Sequence, residues 1–169
     1  VGAGHFAAPL GIRRGVEPAQ AMGGRAAARG IDVVAGVAER LPLPDRCCDA
    51  VLVVTTICFV DDPGQSVREI FRVLRPGGCL ILGFVDRASP LGAEYERKRG
   101  SSLFYSVARF FSAAEVTSLL SDGGFGDLTY RQTLFGHPDS MHDPDPVREG
   151  FGDGSFVAVR ARKPETPSG

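Results

Sequence analysis

Gly2 and Gly4 stand one residue apart in the opening stretch VGAGHFAAPLG, and Glu17 closes the next short apolar segment. Glycine carries no Cβ, so a Gly-x-Gly turn lets backbone amides come close to a ligand. In nucleotide-binding α/β folds, an acid at the end of the following strand accepts hydrogen bonds from ribose hydroxyls. Such a turn and Glu17 together suit a ribose-bearing cofactor: a nicotinamide dinucleotide, a flavin dinucleotide or S-adenosylmethionine. A second acid, Glu39, follows the next apolar segment and precedes a Leu-Pro-Leu-Pro-Asp turn.

The other reactive side chains point elsewhere. Cys47, Cys48, Cys58 and Cys79 show neither CxxC spacing nor paired histidines. No metal site is therefore expected, and all four are read as reduced, structural thiols. The adjacent pair Cys47 and Cys48 cannot hold zinc by itself. Asp61, Asp86, His5, His137 and His142 are the candidate proton acceptors. Each also has a plainer role: Asp61 and Asp62 as helix caps, Asp86 as a strand end or partner of Arg87, the histidines as solvent-facing groups. Cys58 is expected to pack as a small apolar residue. Phe104, Tyr105, Phe110 and Phe111 suit core packing, with a lid over an apolar acceptor as the alternative. No catalytic residue is assigned.

These residues need elements to position them, and helix-like and strand-like segments alternate along the chain. Ile12–Val16, Ile31–Ala35, Asp49–Thr56 and Cys79–Val85 are predicted strands, the third buried on both faces because DAVLVVTT is a nearly continuous apolar run. A short helix is expected at Phe6–Leu10 and a longer one at Ala19–Arg29, stopped by Gly30. Asp62 and Pro63 offer an N-cap and a first helical proline, and Val67, Ile70, Phe71 and Leu74 share one helix face. Pro76-Gly77-Gly78 is expected to end that helix. Ser112 and Glu115 form a capping box for another, closed by Gly123-Gly124. Leu128–Phe135 and Ser155–Ala161 read as a closing antiparallel hairpin. The charged run EYERKRG is expected to face solvent. The alternation favours a parallel α/β sheet.

The chain has 169 residues, 43% hydrophobic, enough for a single core. One domain is expected over residues 1–163, with 164–169 a disordered tail. The net charge of −1 gives nucleic acid no electrostatic foothold. No apolar run reaches membrane-spanning length. With no leader visible, a cytoplasmic location is expected. The excess of Arg over Lys and the abundance of Ala and Gly suggest a bacterial source.

In order, the chain offers Gly2 and Gly4, Glu17, AERLPLPD, CDAV and RVLRPGG. This series resembles the class I S-adenosylmethionine-dependent methyltransferases, in the branch that includes ubiquinone and menaquinone methyltransferases, over residues 1 to about 130. GVEP, VTTICFVDDP, GFVDRASPLGAEYE, FYSVARFFSAAEV and QTLFGHP further resemble a group of bacterial class I enzymes that share the fold. The resemblance implies a Rossmann-like doubly wound sheet, mostly parallel with an antiparallel C-terminal hairpin. It implies S-adenosylmethionine as cofactor, no metal, and methyl transfer to a small-molecule acceptor. Gly2 and Gly4 would match the second and third loop glycines, beneath the methionine part of the cofactor. Glu17 would match the acid that binds both ribose hydroxyls, and Ala38 and Glu39 the positions beside the adenine. Thr55 and Thr56 would match the end of the family's fourth strand, beside the methionine moiety.

The family's first strand, first loop glycine and N-terminal helices have no counterpart here. In the family order 3-2-1-4-5-7-6 the first strand lies between the second and fourth. Ile12–Val16 and Asp49–Thr56 are then left with no strand between them, at roughly 1–3 kcal/mol for each buried unpaired backbone group. The chain is accordingly expected to be a fragment, unstable alone, rearranged, or completed by a partner strand. Two other functions compete: a non-catalytic relic that only binds S-adenosylmethionine, and a nicotinamide-dependent oxidoreductase. AERLPLPD and RVLRPGG speak against the oxidoreductase, as does the lack of a Tyr-x-x-x-Lys pair, since Arg99 stands fourth after Tyr95.

Overall fold

The computed structural model describes residues 1–98, 106–140 and 143–165. In chain order the elements are β1 (Arg14–Val16), α1 (Gln20–Ala27), β2 (Asp32–Val34), β3 (Cys48–Val54), α2 (Pro63–Val73) and β4 (Leu74–Val85). Then follow α3 (Pro90–Arg97), α4 (Ala113–Asp122), β5 (Gly126–Thr133), β6 (Arg148–Glu149) and β7 (Phe156–Arg162).

The helix signals act locally. Asp62 lies outside the helical region and its side chain accepts from Gln65 N at 2.8 Å, ahead of Pro63 at the first turn. Val67, Ile70 and Val73 are buried on the inner face of α2. Leu74, assigned to that face by periodicity, instead opens β4 opposite Cys48. The Pro76-Gly77-Gly78 turn therefore lies within the strand run rather than at the helix end. Lys163 finishes α2 from the far end of the chain, donating from Nζ to Phe71 O (2.6 Å) and Leu74 O (2.8 Å). A cation there also complements the negative end of the helix dipole. On α4, Ser112 and Glu115 form the expected capping box. Phe6–Leu10 forms successive turns instead of the predicted helix; Pro9 has no N–H to donate, and Gly11 turns out at φ +70°.

The larger sheet has the order β3-β4-β7-β5-β6, and β1 pairs with β2 in a separate parallel sheet. β3 and β4 are parallel, and β7 runs antiparallel to both β4 and β5. β3, β4 and β5 thus share one direction, giving a Rossmann-like α/β fold. The late strands are neighbours, but not a simple hairpin: β7 inserts between β4 and β5, and β6 pairs with the outer edge of β5.

Under α2 and α4 lies the main core. Leu80 opposes Ala161, Leu82 opposes Val159 and Phe84 opposes Val157, all buried. Val51 and Val53, paired with Leu80 and Leu82, face this core. The other face of β3 is not buried as predicted: Ala50 is exposed, and Ile81 beside Leu52 remains 39% exposed. β3 is the outermost strand of its sheet, so one face and one edge lack the cover a central strand receives. Ala7, Ala26 and Ile31 form a second, smaller cluster beside β1 and β2.

So small a cluster supports little local stability. Native-state hydrogen exchange is expected to run at least about 100-fold faster at Val16 and Val34 than at Leu82 and Val159. Equal protection in both sheets would show that they open as one unit.

Candidate functional site

Gly2 and Gly4 both adopt left-handed backbone, at φ +59° and +80°. A β-carbon on Gly4 would stand 2.6 Å from Ile31 Cδ1, so the turn is packed too closely for a side chain there. Nothing lies within 4 Å of the same point on Gly2, which faces open space. Glu17 follows β1, and its side chain is largely covered, at 12% exposure. Oε2 accepts from Gly2 N at 2.8 Å and lies 3.5 Å from the Val1 amine; Oε1 accepts from Ala19 N at 3.0 Å. The acid and the glycine turn, separate features in the sequence, are one hydrogen-bonded unit. A carboxylate has about four acceptor positions, so beside these three nitrogen contacts Glu17 keeps about one for a hydroxyl donor.

Ala38 and Glu39 form the tip of a tight turn closed by a bridge between Val37 and Arg40. Glu39 Oε1 accepts from Asp61 N (2.8 Å) and Asp62 N (3.4 Å), and its carbonyl accepts from Gln65 Nε2 (3.3 Å). This ties the turn to the start of α2. Downstream, Arg72 holds the Leu41–Asp45 segment. Its guanidinium donates to Leu41 O, Leu43 O, Asp45 and both oxygens of Glu69, while Glu69 Oε2 accepts from Leu41 N at 2.8 Å. The Arg72 hydrogen bonds hold the Glu69 carboxyl below the usual range, and Glu69 and Asp45 raise the arginine. The i,i+3 spacing of Glu69 and Arg72 was visible in the sequence; the loop they clamp was not.

Thr55 and Thr56 leave the carboxyl end of β3, and both are exposed. Thr55 sits at φ +50°, rare for a β-branched residue, with its N–H on Gly83 O at 2.8 Å. Such strain concentrates at ligand sites. Thr55→Gly is expected to stabilise the fold by about 1 kcal/mol in urea melts. Lower stability would show that the side chain carries packing worth more than the strain.

The remaining candidates fall into structural roles. Burial pushes the Cys58 thiol up to about 11, and it donates to Thr55 O. Asp86 is buried rather than surface-paired: its Oδ1 accepts from Ala88 N at 2.9 Å, while Arg87 pairs with Glu115. Asp61 and His5 are exposed. His137 follows β5 and meets Glu94 of α3 at 3.0 Å. Phe110 and Phe111 are buried, Phe111 within the main core. Phe104, Tyr105 and His142 lie outside the described residues. Among the described residues no group of three metal-ligating side chains converges, and no helix is long and apolar enough to cross a membrane.

Residues 1–82 match the model of a methyltransferase domain family. An uncharacterized protein of Methanocaldococcus jannaschii is 41% identical over 163 residues, covering 96% of this chain and 79% of that protein. An uncharacterized protein of Mycobacterium tuberculosis is 38% identical over 164 residues, and there the chain spans only 58% of its relative. Among solved structures, an S-adenosylmethionine-dependent methyltransferase of Thermotoga maritima, described as a possible histamine N-methyltransferase, is 49% identical with a TM-score of 0.95. The match covers 96% of this chain and 78% of that one.

Proposed function

This chain belongs to the class I S-adenosylmethionine-dependent methyltransferases, and from that premise we propose that it transfers a methyl group to a small-molecule acceptor. Its family implies S-adenosylmethionine as cofactor. The carboxylate of Glu17 bonded to Gly2 N carries the reading, because it joins a ribose acceptor to a turn with open space beside it. In this reading Glu17 accepts the ribose hydroxyls, and Gly2 and Gly4 admit the methionine part. Ala38 and Glu39 border the base, with Glu39 also fixing the turn that carries them. Thr55 and Thr56 border the methionine end.

When bound, the cofactor supplies a methyl group already activated on a positively charged sulfur. The work left to the chain is alignment and exclusion of water. A protein base is needed only if the nucleophile loses a proton in the transfer step. An amine arriving as its free base needs none, since its proton leaves afterwards to solvent. The name of the Thermotoga relative makes histamine the first amine to try. The reading extends to a cytoplasmic location and excludes nucleic acid as substrate, a net charge of −1 offering no basic excess.

Thermal shift with S-adenosylhomocysteine and with NAD tests it. At a hundred times Kd, ligand binding adds about 2.7 kcal/mol. For a chain of this size that corresponds to a rise in Tm of about 5–10 °C with S-adenosylhomocysteine, and none with NAD. The reverse pattern would overturn the reading. Binding without methyl transfer from labelled S-adenosylmethionine, across amines, phenols and quinols, would leave a binding protein instead of an enzyme.

A further inference from the structure

Neighbouring residues of a strand normally face opposite sides. Cys47 stands just before β3 and escapes that rule: its Sγ lies 3.5 Å from that of Cys48, the first residue of the strand. The backbone is held in this form from both directions. Arg46, at φ +51°, turns the chain, and Arg46 N and Cys47 N donate to Arg72 O (3.0 Å) and Val73 O (2.8 Å). On the other side, the β3–β4 register is irregular between Cys48 and Ala50, and Arg75 bonds both Arg46 O and the Asp49 carboxylate. Both thiols are free and half-buried, hence reachable.

We propose that Cys47 and Cys48 form a two-thiol chelating site for a three-coordinate thiophilic centre of the trivalent arsenic kind. The site stands at the amino end of β3, a strand's length from Thr55. The separation suits this occupant better than a disulfide. Closing 3.5 Å to the roughly 2.05 Å of an S–S bond would have to occur between Cα atoms about 3.8 Å apart, closer than the usual 4.4–6.8 Å. With metal–sulfur bonds of about 2.3 Å, the same separation gives an S–M–S angle of about 100°, that of a pyramidal centre. A linear two-coordinate ion needs the sulfurs farther apart. A tetrahedral ion needs more side-chain ligands, and no third His, Cys, Asp or Glu converges among the described residues.

Proton balance favours the same class. A divalent cation must expel both thiol protons. A trivalent organoarsenic dihydroxide brings its own base: two As–S bonds form, two As–O bonds break, and each departing hydroxide leaves as water with one thiol proton. No oxidant or reductant is required.

Phenylarsine oxide, a dihydroxide in water, is the probe. The reduced chain is expected to take up one arsenic per molecule by mass spectrometry, with two of its four thiols lost to a thiol reagent. Excess glutathione should leave the adduct intact, and 2,3-dimercaptopropanol should remove it. Cys47→Ser and Cys48→Ser should each weaken uptake about 100-fold, since the second bond of a chelate is intramolecular; Cys79→Ser should change nothing. Alkylation mapping of the unmutated chain should find Cys47 and Cys48 protected, which holds whether or not a variant folds. Protection of Cys58 or Cys79 instead, or undiminished uptake by either serine variant, would overturn the proposal.

Discussion

Replacing Glu17 by alanine is expected to weaken S-adenosylhomocysteine binding about 100-fold, measured by titration calorimetry. A hydrogen bond to a charged group contributes about 1.5–3 kcal/mol, and 2.7 kcal/mol is a factor of about 100. Two losses combine. The ribose hydroxyls lose their acceptor, and Gly2 N and Ala19 N lose the oxygens that hold the turn in shape. Glu17→Gln keeps the volume and one acceptor oxygen but places an amide donor at the other. It should fall between the two, about tenfold weaker than the parent. The main core lies away from this residue, so cooperative melting of the larger sheet should persist in both variants. A folded Glu17→Ala chain that binds with unchanged affinity would remove Glu17 from the site.

The second large effect is on stability. Arg72→Ala is expected to cost about 2–3 kcal/mol in urea denaturation, toward the lower end of what its bonds could supply. The Arg72 side chain is 31% exposed, so solvent weakens its ion pairs. Truncation still leaves Leu41 O and Leu43 O without the donor they share, and Glu69, at 13% exposure, without its cation. The charge also gives the prediction a pH signature. Glu69 titrates below the ordinary glutamate value, chiefly because of its hydrogen bonds with Arg72. A depressed carboxylate contributes stability that is present above its unfolded pKa of about 4.3 and is lost as pH falls through the native value. The parent should therefore lose stability below about pH 4, and Arg72→Ala should flatten the part of that acid limb due to Glu69. An acid limb of unchanged slope would mean that Glu69 is held down by other groups. Arg72→Lys should recover only a fraction, because one ammonium cannot span two carbonyls and two carboxylates.

What the sequence made legible was local. Asp62, Pro63 and the spaced apolar residues of α2 specify a helix start and an inner face within one turn or two of chain. Ser112 and Glu115 do the same for α4. Leu74 fits the helical period as well as it fits a strand, and only its pairing with Cys48 decides between them. The placement of β7 between β4 and β5 has no local signature, because strand order is set by packing of the whole sheet. The site divides the same way. Gly2, Gly4 and Glu17 stood out by type and spacing, and the turn meets the acid through Gly2 N. The grip of Glu39 on Asp61 N, the left-handed Thr55 and the buried Asp86 each depend on segments that converge only after folding. Cys47 and Cys48 looked inert as a spacing pattern; the turn at Arg46 is what sets their thiols side by side.

The interposition of β7 also constrains how the chain can fold. β4 and β5 are made before β7, yet the two do not pair, and each spends an edge on Phe156–Arg162. Until β7 has left the ribosome, both of these edges stay open and Leu80, Leu82 and Phe84 lack their partners Ala161, Val159 and Val157. Lys163, which closes α2 from 89 and 92 positions away, arrives later still. Completion of the larger sheet must therefore wait for contacts of long sequence separation, which are slow to form. Synthesis would hold an adhesive intermediate for as long as β7 is missing, and chaperone demand should track that interval.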